Sequence, residues 1–125
     1  MSNKSDNELG NMYHYIRQNL ERYKFKMNEL KLQMGLELVR AKQFLEDNPQ
    51  DDETFNSLLA SIHLNIRRVK QMMDNASYML EFPIKDDDYK YYDSSIINIA
   101  RRYKKDPTNY IELSYSDALK ELKEE

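Results

Sequence analysis

Of the side chains that most often carry catalysis or hold metals, this sequence has two histidines, His14 and His63, and no cysteine. The lack of cysteine removes disulfides, thiolate metal sites and thiol nucleophiles together. Neither histidine stands in a Glu-x-x-His or His-x-x-x-His pair, so the ligand spacing of di-iron bundles and helical zinc proteases is missing. Both fall away from the main apolar rows described below and read as surface residues. The only glycines, Gly10 and Gly35, are isolated, whereas a phosphate-cradling loop needs several close together. No Ser, His and Asp grouping has a supporting context. Asp86-Asp87-Asp88 has the composition of a metal-binding cluster, but acidic residues at a helix start are the commoner origin of such a run. The expectation is therefore a protein with no catalytic residue, no cofactor and no metal, and not an enzyme.

Binding chemistry has more to work with. Arg101-Arg102-Tyr103-Lys104-Lys105, with Arg67-Arg68 and Lys70 upstream, could contact phosphates while nearby tyrosines stack on bases. Arg101 and Lys105 would point away from the apolar row of their helix, as a solvated face also would. A helix-turn-helix would want a tight, often glycine-containing turn, and none is visible. Charge is uneven elsewhere too. Residues 17–42 carry seven basic and three acidic side chains, whereas Glu46 to Glu53 contribute five acidic ones and no basic one. The net charge of −3 argues against wholesale coating of nucleic acid, so nucleic-acid binding through Arg101, Arg102, Lys104 and Lys105 is the second expectation, not the first.

These residues must be positioned by helices. From Leu9 an apolar row runs through Met12, Ile16, Leu20, Tyr23, Met27, Leu30, Met34, Leu38 and Ala41 to Leu45. Each step is three or four residues, the α-helical repeat. Ser5 and Glu8 have the spacing of a capping box, and Asn48-Pro49 ends the run, because the residue before a proline leaves the helical region. One helix over 6–47 is expected. A second, over 52–82, is capped by Asp51 or Asp52 and carries the row Phe55, Leu59, Ile62, Ile66, Val69, Met73, Ala76, Leu80. A third over 88–105 would bury Tyr89, Tyr92, Ile96, Ile99, Ala100 and Tyr103. Tyr110 to Tyr115 alternates and suggests a short extended piece, before a last helix over 116–124 capped by Ser116. The fold class is all-α: a long antiparallel helical hairpin with one or two shorter C-terminal helices, three-helix-bundle-like, forming a single domain over 1–125.

The first helix has a second apolar stripe on its far side, Phe25, Leu32, Leu36 and Val39. One partner helix cannot cover both stripes. With the second helix assigned to the longer row, either the third helix folds over the second stripe or another molecule does, and a bare stripe would mark an interface. Leu58, Met72 and Met79 widen the apolar face of the second helix, and methionine faces repack readily against partners. A tentative partner surface therefore comprises Phe25, Leu32, Leu36, Val39, Met72 and Met79.

The 125 residues, 33% charged, with a mean hydropathy of −0.91, suit an elongated helical shape better than a sphere. No apolar run is long enough to span a membrane, and residues Met1 to Glu8 have no signal-peptide core. With no cysteine, a cytoplasmic location is expected. Eleven Asn, with abundant Lys, Tyr and Ile, point to AT-rich coding sequence and so to a low-GC bacterium, phage, mobile element or virus. The resulting expectation is a non-enzymatic interaction factor (an adaptor, inhibitor or assembly protein) that acts on another protein or on itself, in a coiled-coil-like or oligomeric assembly, with no membrane partner.

Overall fold

The computed structural model describes residues 3–49 and 54–124, with side chains from residue 7 onward. The described residues form helices and turns, with no strand among them. The first helix, α1, spans Asn3–Asp47. Its 45 residues extend about 67 Å at 1.5 Å per residue. It begins two residues ahead of Ser5, which therefore lies inside the helix instead of capping it. At the other end Asn48 follows the last helical residue, and its backbone N–H and side-chain amide both donate to the Phe44 carbonyl.

The single second helix expected over 52–82 is in fact two. The structure gives α2 as Phe55–Ser61 and α3 as Ile66–Met79. Asp51 and Asp52, the expected caps, lie outside the described residues. Thr54 caps α2 instead, exchanging hydrogen bonds with Ser57 in a capping box. The break comes from local hydrogen bonding and not from a proline. His63 takes a left-handed backbone, φ 57°, its N–H donating to the Ala60 carbonyl and that of Leu64 to Leu59. This is the paired closing pattern of a Schellman motif. Asn65 then starts α3 by accepting from the backbone N–H groups of Arg67 and Arg68. The far end of α3 also stops early, at Met79, where Leu80, Glu81 and Phe82 continue as tight turns into Pro83.

Beyond Pro83 the expected third helix is again split. A 3₁₀ turn over Asp86–Tyr91 precedes α4, Ser94–Arg102, which Asp93 caps through the Ser95 N–H. Asp106 caps a second 3₁₀ turn, Pro107–Asn109. The turn that follows it, over residues 110–113, stands where an extended piece was expected. The last helix, α5, is Tyr115–Glu124. Its first-turn N–H at Asp117 is taken by the Ser114 hydroxyl, so the cap lies two residues before Ser116.

Three apolar clusters make the core. Leu38 joins Leu59 and Val69, with Phe55, Leu64, Met72 and Met73 around them. Leu32 joins Ala76, Met79, Tyr92 and Ile97, flanked by Leu36, Ile84, Tyr89 and Ile111. Ile96, Ile99 and Tyr110 close with Ala118 and Leu122 of α5. Along α1 from Leu38 back to Leu32 the partners on α3 advance from Val69 to Met79, so the two helices run in opposite directions. Gly35 lies at a tight contact between them. A Cβ there would collide with the Met72 carbonyl and stand 2.8 Å from the Ala76 Cβ.

Candidate interaction surface

The two stripes of α1 are used the opposite way round from the sequence expectation. The second stripe is the one this chain covers. Leu32 is 6% exposed, Leu36 and Val39 are half-buried, and Phe25 meets the Tyr91 ring edge-on with centroids 5.2 Å apart. Asn28 on the same face is buried and donates from Nδ2 to the Lys90 carbonyl at 3.0 Å. Met79 is 1% exposed and Met72 half-buried. The surface expected over Phe25, Leu32, Leu36, Val39, Met72 and Met79 is therefore covered in large part by the chain itself, Leu32 and Met79 buried and the other four half-buried, because α3, the 3₁₀ turn over Asp86–Tyr91 and α4 all close on it. Both the second helix and the third contribute to this cover.

The longer row is left open. Its C-terminal end goes into the core at Leu38, and Ala41 and Leu45 are half-buried. From Leu9 to Met34 it faces outward. Leu20 is 61% exposed and Tyr23 65%, and Met12, Ile16, Met27 and Leu30 are exposed with them. Every described side chain from Asn7 to Lys24 is exposed. This part of α1 therefore projects beyond the core as an arm of single helix. At about 100° per residue the row fits within roughly 80° of arc. Its mean step equals the helix's own repeat, so it runs straight along the arm instead of winding around it. A stripe this narrow is a helix-pairing seam in form. The second helix was expected to cover it, but α3 is seated on the other face, where Gly35 allows close approach.

A cleft of about 520 Å³ opens where the arm leaves the core, with Phe25, Tyr91 and Tyr115 on its walls. Two of its polar side chains are engaged within the chain, Asn28 with the Lys90 carbonyl and Asp93 with the Ser95 N–H. Among the described residues, no three His, Asp or Glu side chains converge to hold a metal ion. His14 and His63 are both exposed, and His63 serves the backbone turn already described.

The basic segment closes α4. Lys104 is left-handed, φ 58°, its N–H donating to the Arg101 carbonyl and that of Lys105 to Ala100, a second Schellman end. Arg101 is turned inward, Nε donating to the buried Asn75 at 3.2 Å and Nη1 standing 3.8 Å from Asp74. Arg102 and Lys104 are exposed. The Tyr78 hydroxyl donates to the Lys105 carbonyl at 2.6 Å, fixing this turn against α3. Burial, with Glu81 and Asp106 nearby, raises the Tyr78 pKa above the ordinary tyrosine value. Arg101 thus serves the α3–α4 contact, while Arg102, Lys104 and Lys105 are exposed.

Among the described residues, no helix is long and apolar enough to cross a membrane. Comparison of the chain with protein-family models, with curated proteins and with solved structures finds no match.

Proposed function

We propose that this chain is a non-enzymatic protein–protein interaction factor whose docking surface is the open row of α1, from Leu9 to Met34. One observation carries the reading. Eight large apolar side chains stand exposed in a single straight row, on a helix that extends past its own core. Single exposed apolar residues are ordinary on any protein, but a contiguous apolar strip marks a contact surface. A partner helix lying along the row would turn the arm into part of a larger bundle. The helix is already formed at the row, so a partner would not have to order it. The clusters behind it anchor the base of the arm in the core, as suits an adaptor, inhibitor or assembly protein.

A photo-cross-linking residue placed at Leu20, and separately at Gln18 on the rear of the same helical turn, tests this in the native host. The expected result is a protein adduct from position 20 and none from position 18. Equal labelling from both, or none from either, would contradict the reading.

A further inference from the structure

The row that α1 leaves open is bordered by charge of mostly one sign. Arg17, Lys24 and Lys31 stand seven residues apart, on one flank of the row, and Lys26 stands on the other. All four are exposed. Between residues 7 and 34 the only acidic residue at a flanking position is Glu8, near the outer end, while Glu21 and Glu29 fall on the rear. Lys26 has a loose pairing with Glu29 at 3.9 Å. Among the described residues, no carboxylate is within ion-pair distance of Arg17, Lys24 or Lys31. The chain as a whole is acidic, with a net charge of −3, so this border is the reverse of the average surface.

That charge pattern selects among occupants. An antiparallel second copy would lay the Arg17, Lys24, Lys31 flank of one arm against the same flank of the other. A parallel copy would set it against the flank holding Lys26. Both arrangements bring like charges together beside the seam, which costs affinity and disfavours the pairing. A lipid surface would favour the charge, but interfacial helices sink a broad apolar face into the bilayer, and this row is narrow. Resting on the docking reading above, we propose that the occupant is an acidic amphipathic helix of another protein. It would carry apolar residues at three-four spacing with Glu or Asp at the positions beside them. Those carboxylates would pair with Arg17, Lys24 and Lys31 along one edge and with Lys26 along the other.

Two synthetic helical peptides of about seven turns test this, both with leucine at the spacing of the row. One has Glu at every flanking position and the other Lys. Each is titrated into the full chain by fluorescence anisotropy at low and at high salt, with the mass of the chain alone measured by sedimentation. The Glu peptide should bind about tenfold or more tighter than the Lys peptide at low salt, and the gap should narrow as salt screens the pairs. Arg17→Glu, Lys24→Glu, Lys31→Glu together should reverse the preference, and Leu20→Glu should abolish binding of both peptides. Equal binding of the two peptides would overturn the acidic partner while leaving the docking surface standing. A stable dimer of the chain alone would also overturn it, making a second copy the occupant. Binding to vesicles of phosphatidylcholine and phosphatidylglycerol, with neither peptide bound, would replace the protein partner by lipid. If the chain is monomeric and binds neither peptides nor vesicles, both this inference and the docking reading fail.

Discussion

Gly35 shows how one small residue decides which face of a long helix becomes interior. With no side chain there, α3 comes down onto α1 until the Met72 carbonyl and the Ala76 Cβ occupy the space a Cβ would need. In an exposed helix, replacing Gly by Ala gains about 1 kcal/mol of helix propensity. Here the added methyl must push two helices apart, and overpacking of this kind costs about 1–3 kcal/mol. Gly35→Ala is therefore expected to lower stability by about 1 kcal/mol net, read from the midpoint of urea unfolding. Gly10, with nothing near it, should show the opposite sign on the same substitution. Composition alone makes the two glycines equivalent. The difference between them was not legible in the sequence, because only the position of α3 distinguishes them. Asn28 gives the same lesson, a polar residue buried on the inner face because the Lys90 carbonyl accepts from it.

At the scale of elements, what could be read was periodicity and what could not was where a helix stops without proline or glycine. The first helix came out within three residues at its start and with its end as expected, since ten regular steps and Asn48-Pro49 leave little freedom. The second was expected as one because its apolar row continues through Ile62 and Ile66, yet both are exposed and the helix breaks between them. The break uses His63 in a conformation that glycine usually supplies, and Lys104 does the same at the end of α4. A left-handed L-residue costs about 1–2 kcal/mol, part of which a glycine would forfeit through its freer unfolded chain. His63→Gly and Lys104→Gly should therefore each raise stability by about 0.5 kcal/mol, detectable as a higher denaturation midpoint, and lowered midpoints would count against these helix ends. The stripes of α1 were legible as stripes. Which one faces inward was not, since regular spacing shows only that residues share a face. The more regular row is the one left open, and the inner face mixes leucines with Gly35 and Asn28, which a count of apolar residues overlooks.

For the whole molecule, the arm and the core should respond differently to their surroundings. Two tyrosines make the core's stability fall at high pH. Burial raises the pKa of Tyr78, helped by Glu81 and Asp106, and burial also raises that of Tyr89, helped by Asp86 and Tyr92. A group whose pKa is higher folded than unfolded keeps its contribution below the unfolded value and loses it as pH rises through the folded one. Stability should therefore not vary with pH through these groups below about pH 10 and should fall above it, the ordinary tyrosine value setting the onset. Denaturation midpoints across that range check this, and the fall should be shallower in Tyr78→Phe. The arm, by contrast, contributes little to the fold. The central claim is that the row from Leu9 to Met34 is surface and the row through Leu32 is core, and paired unfolding measurements on Leu20→Glu and Leu32→Glu test it most directly. Leu20→Glu is expected to stay within about 0.5 kcal/mol of the parent, as surface substitutions do, while Leu32→Glu loses about 3 kcal/mol or more by burying a carboxylate. Equal losses, or a larger loss from Leu20→Glu, would contradict the account.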